Sequence, residues 1–294
     1  MTVASGIPLY QVDAFTEERF HGNPAAVCIL GTASGGVLRD SIMAKIANEM
    51  NLSETAFVEP SAKGRFKLRW FTPTVEVDLC GHATIATVAA LVQGEGLQAD
   101  ELQFETKSGI LTVKRSEDGL YHLSVPSLPP TDVLPGISNN RSAILEAIFG
   151  PSNIDMADSL HYNGRLRYLM AVCRDGTTRE QLESLAPDFP ALKKCCQDSG
   201  IFAVMVTAAE PSGAHDLLLR FFAPVAGIDE DPVTGSAYAV AGPFWAQRLD
   251  RPQLRARQCS LRGGDITVTP EAEPGRVDVA GAAVIVSKGV LYLD

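Results

Sequence analysis

The chain has 294 residues, of which 46% are hydrophobic and 20% charged, and its formal net charge is −10. This length suits two domains of ordinary size, and the hydrophobic content excludes a disordered chain. The acidic balance, with no run of Lys and Arg, argues against a nucleic-acid partner. Residues 1–9 do not resemble a secretory signal, and the longest apolar helical stretch, residues 83–92, is too short to span a membrane. We therefore expect a cytoplasmic protein without a membrane partner.

In chain order, apolar periodicity predicts amphipathic helices over residues 41–50, 141–149 and 178–185, which should pack on the outside of the protein. Two further helices, one over residues 83–92 and one beginning near Gly235, are apolar on nearly all faces. A helix of this kind must be enclosed by other elements. The simplest enclosure is a curled sheet.

The two apolar helices lie in segments that resemble one another. Residues 68–73 and 219–224 have the related sequences LRWFTP and LRFFAP, and each is followed by an acidic stretch, a loop containing glycine and one apolar helix. Strand and hairpin patterns follow both helices. The chain is therefore predicted to contain two copies of one unit of strand, loop, helix and hairpin.

This repeat predicts an α+β fold with two pseudo-symmetric domains, each a curled, barrel-like and mostly antiparallel sheet around a central apolar helix. The predicted N-terminal domain covers residues 1–128 and the C-terminal domain residues 129–294, with the last strand able to pack on the N-terminal domain. Four prolines within residues 126–135 deny that segment regular hydrogen bonding, which makes it the predicted linker.

Gly81 and Gly235 each stand at the predicted start of an apolar helix, where free backbone N–H groups and the helix dipole favour an anion. Each alone could be a tight-turn glycine. Because the motif recurs with polar neighbours, we interpret both as binding residues for a substrate carboxylate, with the hydroxyl of Ser236 as a further donor. Such a ligand would lie between the two domains.

Three titratable residues are candidates for catalysis. Glu54 precedes an apolar strand, where most glutamates are solvated, but in a closed apolar pocket desolvation would raise its pKa toward neutrality and let it take and return a proton. His82 follows Gly81 at a helix start, where the dipole favours the neutral imidazole. Asp231 could orient His82 or a substrate amine, although three successive acids from Asp229 usually form a solvated loop.

The six cysteines form no Cys-x-x-Cys pair and no Cys/His cluster with the usual zinc-ligand spacing, so the sequence predicts neither a metal site nor a disulfide. The sequence also lacks the dinucleotide, P-loop, serine-hydrolase and zinc-protease motifs. Nicotinamide, nucleotide, serine-hydrolase and zinc-protease chemistry therefore lose support. No lysine stands out as a partner for pyridoxal phosphate.

Beyond these single residues, the sequence resembles the phenazine-biosynthesis isomerases, relatives of diaminopimelate epimerase, over nearly its whole length. Four ordered blocks at family-like spacing carry the resemblance: residues 12–15 with 22–27, residues 51–57, residues 69–73 with 80–84, and residues 231–237. In that family, the glutamate matching Glu54 is the general acid/base that moves a proton between two carbons of a dihydro-hydroxyanthranilate. The residues matching His82, Asp231 and Ser236 bind the substrate there.

The resemblance also implies a fold of two pseudo-symmetric domains, no cofactor and a homodimer. The related epimerases use two cysteines as paired acid and base. Cys80 occupies the first of those positions, but the second falls at Pro232, which cannot titrate, so the two-thiol mechanism should be absent. We expect Cys80 to be a bystander, although its helix-start position could lower its pKa.

The predicted function is a cofactor-independent isomerase that acts on a small carboxylate metabolite. Its predicted catalytic residues are Glu54, His82 and Asp231, and its predicted substrate-binding residues are Gly81, Gly235 and Ser236. Two alternatives stay open: an amino-acid-type epimerase or racemase with a second base, and a non-catalytic metabolite-binding or protein-interaction module that keeps the fold. The sequence does not name the substrate.

Overall fold

A computed structural model of the protein describes residues 6–31, 38–61, 64–130, 137–210 and 213–293. Part of the predicted linker, residues 131–135, lies outside the described residues. The chain divides into two compact units: Met1–Ser124 with Ala280–Asp294 form the first, and Val125–Val279 form the second. The domain limits inferred from sequence, 1–128 and 129–294, stay a prediction.

Sixteen strands occur in the described residues. They are β1 (Ile7–Ala14), β2 (Asn23–Ile29), β3 (Glu54–Pro60), β4 (Phe66–Phe71), β5 (Glu76–Val77), β6 (Glu101–Thr106), β7 (Gly109–Arg115), β8 (Tyr121–Pro126), β9 (Ala157–Asn163), β10 (Tyr168–Cys173), β11 (Ala203–Ala209), β12 (Leu217–Phe222), β13 (Leu254–Gln258), β14 (Gly264–Pro270), β15 (Arg276–Gly281) and β16 (Ala283–Leu291). Most neighbouring strands pair antiparallel.

Six α-helices are described: α1 (Asp40–Met50), α2 (Gly81–Ala89), α3 (Ile137–Phe149), α4 (Arg179–Glu183), α5 (Phe189–Ser199) and α6 (Gly235–Leu249). A π-helical turn, Ala90–Gly94, extends α2, and short 3-10 turns cover Ile154–Met156 and Pro224–Ala226. Sequence periodicity missed α5. Its start was nevertheless signalled, because Asp188 caps the N–H of Ala191 and a proline stands in the first turn. No helix in the described part of the chain is long and apolar enough to cross a membrane.

The first unit contains one sheet in the order β16-β1-β2-β3-β4-β6-β7-β8, with β5 pairing beside β4. β2 runs parallel to β3, with α1 in the connection between them, and β4 runs parallel to β6, with α2 in the connection. The other described pairs in this unit are antiparallel. β16 arrives from the far end of the chain and pairs Leu291 with Ile7 of β1.

The second unit has the same internal order, β15-β14-β13-β12-β11-β10-β9. Here too a parallel pair, β10 and β11, is connected through helices (α4 and α5), and a second parallel pair, β12 and β13, is connected through α6. The matching connections confirm the α+β class and the internal repeat that the sequence predicted.

The predicted apolar helix of the first unit is α2, and its buried residues run without interruption from His82 to Ala89. It packs against β1, β2, β3 and β16. Small side chains allow this close approach, because five of the nine helix positions are Gly, Ala or Val. In the second unit, α6 packs on β14, where a Cβ added at Gly242 would lie 2.6 Å from a methyl carbon of Val268.

Gly22, just before β2, lies in a closely packed turn that has no room for a side chain. Its φ of +64° lies in the left-handed region, and an added Cβ would meet the carbonyl oxygen of Ala14 at 2.1 Å. We expect Gly22→Ala to lower the free energy of unfolding by about 2–4 kcal/mol, because left-handed strain and overpacking add. Gly96 is the matched control: its φ is +73°, but nothing lies within 4 Å of an added Cβ. Urea unfolding of both alanine variants measures the difference, and equal losses would contradict the packing argument.

Candidate functional site

Glu54 is the first residue of β3, opposite Ala25 of the parallel strand β2. The local chain explains this position. Helix α1 ends at Met50, and Asn51 follows in the left-handed conformation (φ 49°). Asn is one of the few residues that adopt this conformation readily, and it turns the chain from the helix toward the strand. The Glu54 carboxylate therefore lies at the mouth of the strand, with its side chain only 14% exposed.

His82 lies at the second position of α2 and is buried. Its Nε2 is 3.1 Å from Oε2 of Glu54. Cys80 precedes the helix in an extended conformation, which turns its thiol toward the same point: Sγ lies 3.5 Å from Nδ1 and 4.0 Å from Nε2 of His82. Glu54, Cys80 and His82 thus form a compact cluster, with one ligand atom of each residue within 4.8 Å of the other two.

Two polar residues, Asn23 and Ser53, form hydrogen bonds beside this cluster, next to Nδ1 of His82. Asn23, which is fully buried at the start of β2, places its amide nitrogen 3.3 Å from Nδ1 of His82. The hydroxyl of Ser53 donates to the amide oxygen of Asn23 at 3.0 Å. An amide offers either its oxygen or its nitrogen after a half-turn, and a hydroxyl both donates and accepts. The pair can therefore satisfy the imidazole in its neutral and its charged form.

The charges within the cluster are coupled. Burial opposes ionisation of Glu54, but the charge of His82 and hydrogen bonds from His82, Cys80 and Ser53 outweigh it and lower the pKa of Glu54. Burial also disfavours a charged His82, yet Cys80 and Glu54 raise the pKa of His82 well above its usual range. Burial and the Glu54 carboxylate raise the pKa of the Cys80 thiol to about 11. At neutral pH, these directions favour an ionised Glu54 and a protonated Cys80 thiol, and the Glu54 carboxylate favours the charged form of His82.

These directions correct three expectations drawn from sequence. The pKa of Glu54 is lowered instead of raised, because its surroundings are polar where an apolar pocket was expected. The pKa of His82 is raised, since a full carboxylate charge at 3.1 Å outweighs the partial charge of about one half at a helix start. The pKa of Cys80 is raised by burial, which exceeds any effect of its position at the helix start.

The remaining predicted site residues lie together in the second unit, around the start of α6. Asp231 accepts from the hydroxyl of Thr234 and donates its own N–H to the carbonyl of Phe221. The buried Gln258 accepts from the N–H of Thr234 at 2.9 Å and donates to the carbonyl of Asp231 at 2.8 Å. This side chain fixes the shape of the loop that leads into Gly235.

Ser236 shares a hydrogen bond of 3.1 Å with the phenol of Tyr168, a residue of β10 that sequence reasoning missed. Burial raises the pKa of Tyr168, and the nearby Asp231 adds to this shift. Tyr168 therefore keeps its proton near neutral pH and orders the Ser236 hydroxyl. No sequence signal distinguished this tyrosine, because its place beside α6 depends on the register of the sheet.

Both helix starts have the same backbone chemistry. Cys80 is the N-cap of α2 and Thr234 is the N-cap of α6, and neither side chain caps its helix. The first N–H groups of a helix have no partner within the helix, and they carry the positive end of its dipole. Gly81 and Gly235 therefore begin helices whose first turns are suited to an anion.

The comparisons with known proteins agree with one another over almost the whole chain. Residues 12–289 match the family described as phenazine biosynthesis-like protein. A mouse relative, phenazine biosynthesis-like domain-containing protein 1, is 39% identical, covering 97% of this chain and 99% of its own length. An uncharacterized isomerase of Pseudomonas aeruginosa is also 39% identical, covering 98% of this chain and 99% of its own.

Among solved structures, a phenazine biosynthesis protein from Enterococcus faecalis is 38% identical and superposes with a TM-score of 0.83. The match covers 98% of this chain and all of that one. The chain therefore belongs to the phenazine biosynthesis-like family, which includes proteins named as isomerases.

Proposed function

We propose that the protein is a cofactor-independent isomerase in which Glu54 moves a proton between two carbons of a small carboxylated substrate. The observation that carries this proposal is the Glu54 carboxylate, nearly buried and held by His82 at 3.1 Å. A general base must be ionised and positioned before the substrate arrives. The lowered pKa of Glu54 supports the first requirement, and its contacts with His82, Cys80 and Ser53 support the second.

The neighbours of Glu54 support a complete proton cycle. Once Glu54 has taken a proton, the imidazolium of His82 remains beside it and favours return of that proton to carbon. A bound substrate would also remove the remaining water, which would otherwise compete for the proton. Desolvation would at the same time raise the pKa of Glu54 and strengthen it as a base.

Substrate binding is assigned, within the proposal, to both helix starts. The N–H groups near Gly81 and Gly235 and the hydroxyl of Ser236 are proposed to bind the substrate carboxylate, and Asp231 is proposed to orient the substrate or His82. Support comes from the uncapped first turns of α2 and α6 and from the family resemblance. The homodimer and the cytoplasmic location stay predictions; sedimentation equilibrium and cell fractionation test them.

An epimerase or racemase is the second candidate, and Cys80, next to Glu54, is the first residue to consider as its second base. Two bases that flank one carbon, each about 3–3.5 Å from it, lie about 6–7 Å apart. The ligand atoms of Glu54 and Cys80 lie within 4.8 Å of each other, which is too close for that arrangement. Glu54 and Cys80 are therefore poor candidates for a two-base pair, and an epimerase would need its second base from another residue.

Proton exchange with solvent separates these functions. The protein is incubated in deuterated water with a panel of small cyclic acids, unsaturated acids and amino acids, and proton NMR and mass spectrometry follow deuterium at carbon. An isomerase gives a labelled product with a shifted double bond or proton position, whereas a racemase gives a labelled mirror-image product on chiral analysis. A binding module gives no label with any acid that it binds.

Cys80 provides a further test of the proposal. We expect Cys80→Ala to retain most of the exchange activity, within about tenfold of the wild type, because a thiol with a pKa of about 11 is a weak acid at neutral pH. The measurement is the rate of deuterium incorporation into the acid identified by the panel. A loss of several orders of magnitude in the rate of deuterium incorporation would show that the thiol takes part in the reaction.

A further inference from the structure

The Glu54, Cys80 and His82 cluster has a second chemical property that proton transfer does not require. It brings together a carboxylate oxygen, a thiol sulfur and an imidazole nitrogen, which are the three ligand types that Zn²⁺ prefers in proteins. In the described part of the chain, no other group of three His, Cys, Asp or Glu residues lies as close together. We propose that these three side chains form a binding site for one thiophilic divalent cation of the Zn²⁺ class.

The distances show what a bound ion would require. Bonds of about 2.3 Å to sulfur and about 2.0–2.2 Å to nitrogen and oxygen place neighbouring ligand atoms about 3.4–3.6 Å apart. Here Nε2 of His82 is 3.1 Å from Oε2 of Glu54, but Sγ of Cys80 lies 4.0 Å from Nε2 and 3.5 Å from Nδ1. Glu54 and His82 are therefore already close to ligand spacing, and the Cys80 thiol would have to rotate toward Nε2 to complete the site.

The surroundings of the cluster supply the outer contacts of such a site. A ligating histidine usually has a hydrogen-bond partner on its other ring nitrogen. Asn23 occupies that place, 3.3 Å from Nδ1, and its amide oxygen can accept from Nδ1–H after a half-turn. The nearby backbone N–H of Ala83 favours the negative charge that a coordinated thiolate would carry.

Three protein ligands leave a fourth coordination position open to solvent or to a substrate carboxylate. On binding, the thiol proton and the Nε2 proton of the charged His82 both pass to the solvent buffer, His82 coordinates as the neutral imidazole, and the carboxylate and thiolate neutralise the dication. Because Glu54 would be a ligand, the ion would also occupy the proposed base. This consequence rests on the proposed function: with Glu54 as the base, a bound ion would block proton transfer until it dissociates.

Cobalt titration tests the site without any substrate. Protein freed of metal by a chelator is titrated with Co²⁺, and we expect one equivalent to give the near-ultraviolet band of thiolate-to-cobalt charge transfer, which Zn²⁺ then abolishes. Zn²⁺ alone should raise the melting temperature, since it binds the folded state. Absence of a one-to-one signal in the wild type would overturn the proposal.

Matched cysteine variants assign the signal. Cys80→Ser should lose the band and weaken Zn²⁺ binding in calorimetry by more than roughly 100-fold, because loss of outer partners alone costs about 10–100-fold. Cys195→Ser, a change at a partly exposed free thiol in α5, should leave both unchanged. His82→Asn provides a second ligand deletion if Cys80→Ser folds poorly. A band retained in Cys80→Ser, or lost in Cys195→Ser, would contradict the assignment.

Discussion

Glu54→Gln is expected to reduce solvent-deuterium incorporation into a substrate by roughly 10²–10⁴-fold, the range in which a positioned acid/base contributes. Gln has nearly the shape of Glu and can still accept a hydrogen bond from Nε2 of His82, 3.1 Å away in the native protein. It cannot take a proton from carbon. Substrate binding, measured by calorimetry, should therefore persist while exchange is lost.

A second readout of the same variant needs no substrate. The Glu54 carboxylate is one of the groups that raise the pKa of His82, so its replacement should lower that pKa, as followed by NMR titration of the imidazole. Glu59→Gln is the matched control, because Glu59 lies in the same strand but pairs with Lys67 away from the cluster. Full exchange in Glu54→Gln, with the expected change at His82, would remove Glu54 from the mechanism while leaving the geometry intact.

The second large effect is expected at Arg220, a buried residue of β12. Its guanidinium forms a bidentate pair with Glu230, at 2.7 and 2.8 Å, and donates to the carbonyls of Leu182 and Leu185. Arg220→Met would leave a carboxylate and two carbonyls without their donor. We expect the free energy of unfolding to fall by about 3–5 kcal/mol, as measured by urea unfolding.

The repeat supplies the control for this prediction. Arg69 occupies the corresponding place in β4 and also forms a bidentate pair, with Glu76, but its side chain is 29% exposed and its third partner, Asp40, lies at the surface. Arg69→Met should therefore cost only about 1 kcal/mol. A joint change of Arg220→Met and Glu230→Leu should recover part of the loss, because no charge is then left unpaired. Equal losses at Arg69 and Arg220 would contradict the burial argument.

The sequence predicted much of the fold for a definable physical reason. The apolar helices α2 and α6 have no polar face, so other elements must enclose them. The similar segments LRWFTP and LRFFAP indicated the internal repeat. The alignment of these two segments also places Arg69 and Arg220 at equivalent positions of the repeat. It could not reveal that each arginine pairs with the glutamate of the segment that follows its strand, because Glu76 competes with Asp78, and Glu230 competes with Asp229 and Asp231.

The sequence singled out Glu54 and His82, which the structure brings together, but it did not give the directions of their pKa shifts. Glu54 and His82 came from the ordered blocks, whereas the contacts of Cys80 and Asn23 with His82 depend on strand register and on the break before α2. The directions for Glu54 and His82 follow from their contacts with each other and with Cys80, whereas that for Cys80 follows mainly from burial. Spacing rules for zinc ligands likewise passed over the proposed ligand set, because Glu54 comes from β3 whereas Cys80 and His82 stand at the start of α2.

The pairing of β16 with β1 joins two segments from opposite ends of the sequence, with Ile7 opposite Leu291. During synthesis on the ribosome, residues 125–279 can collapse as soon as they emerge, while the first unit must wait for β16 to cover its open strand β1. The first unit, whose N-terminal strands are synthesised first, therefore completes its sheet last. An exposed strand edge is prone to pairing with other chains, so chaperone dependence and aggregation of nascent chains should concentrate in this unit.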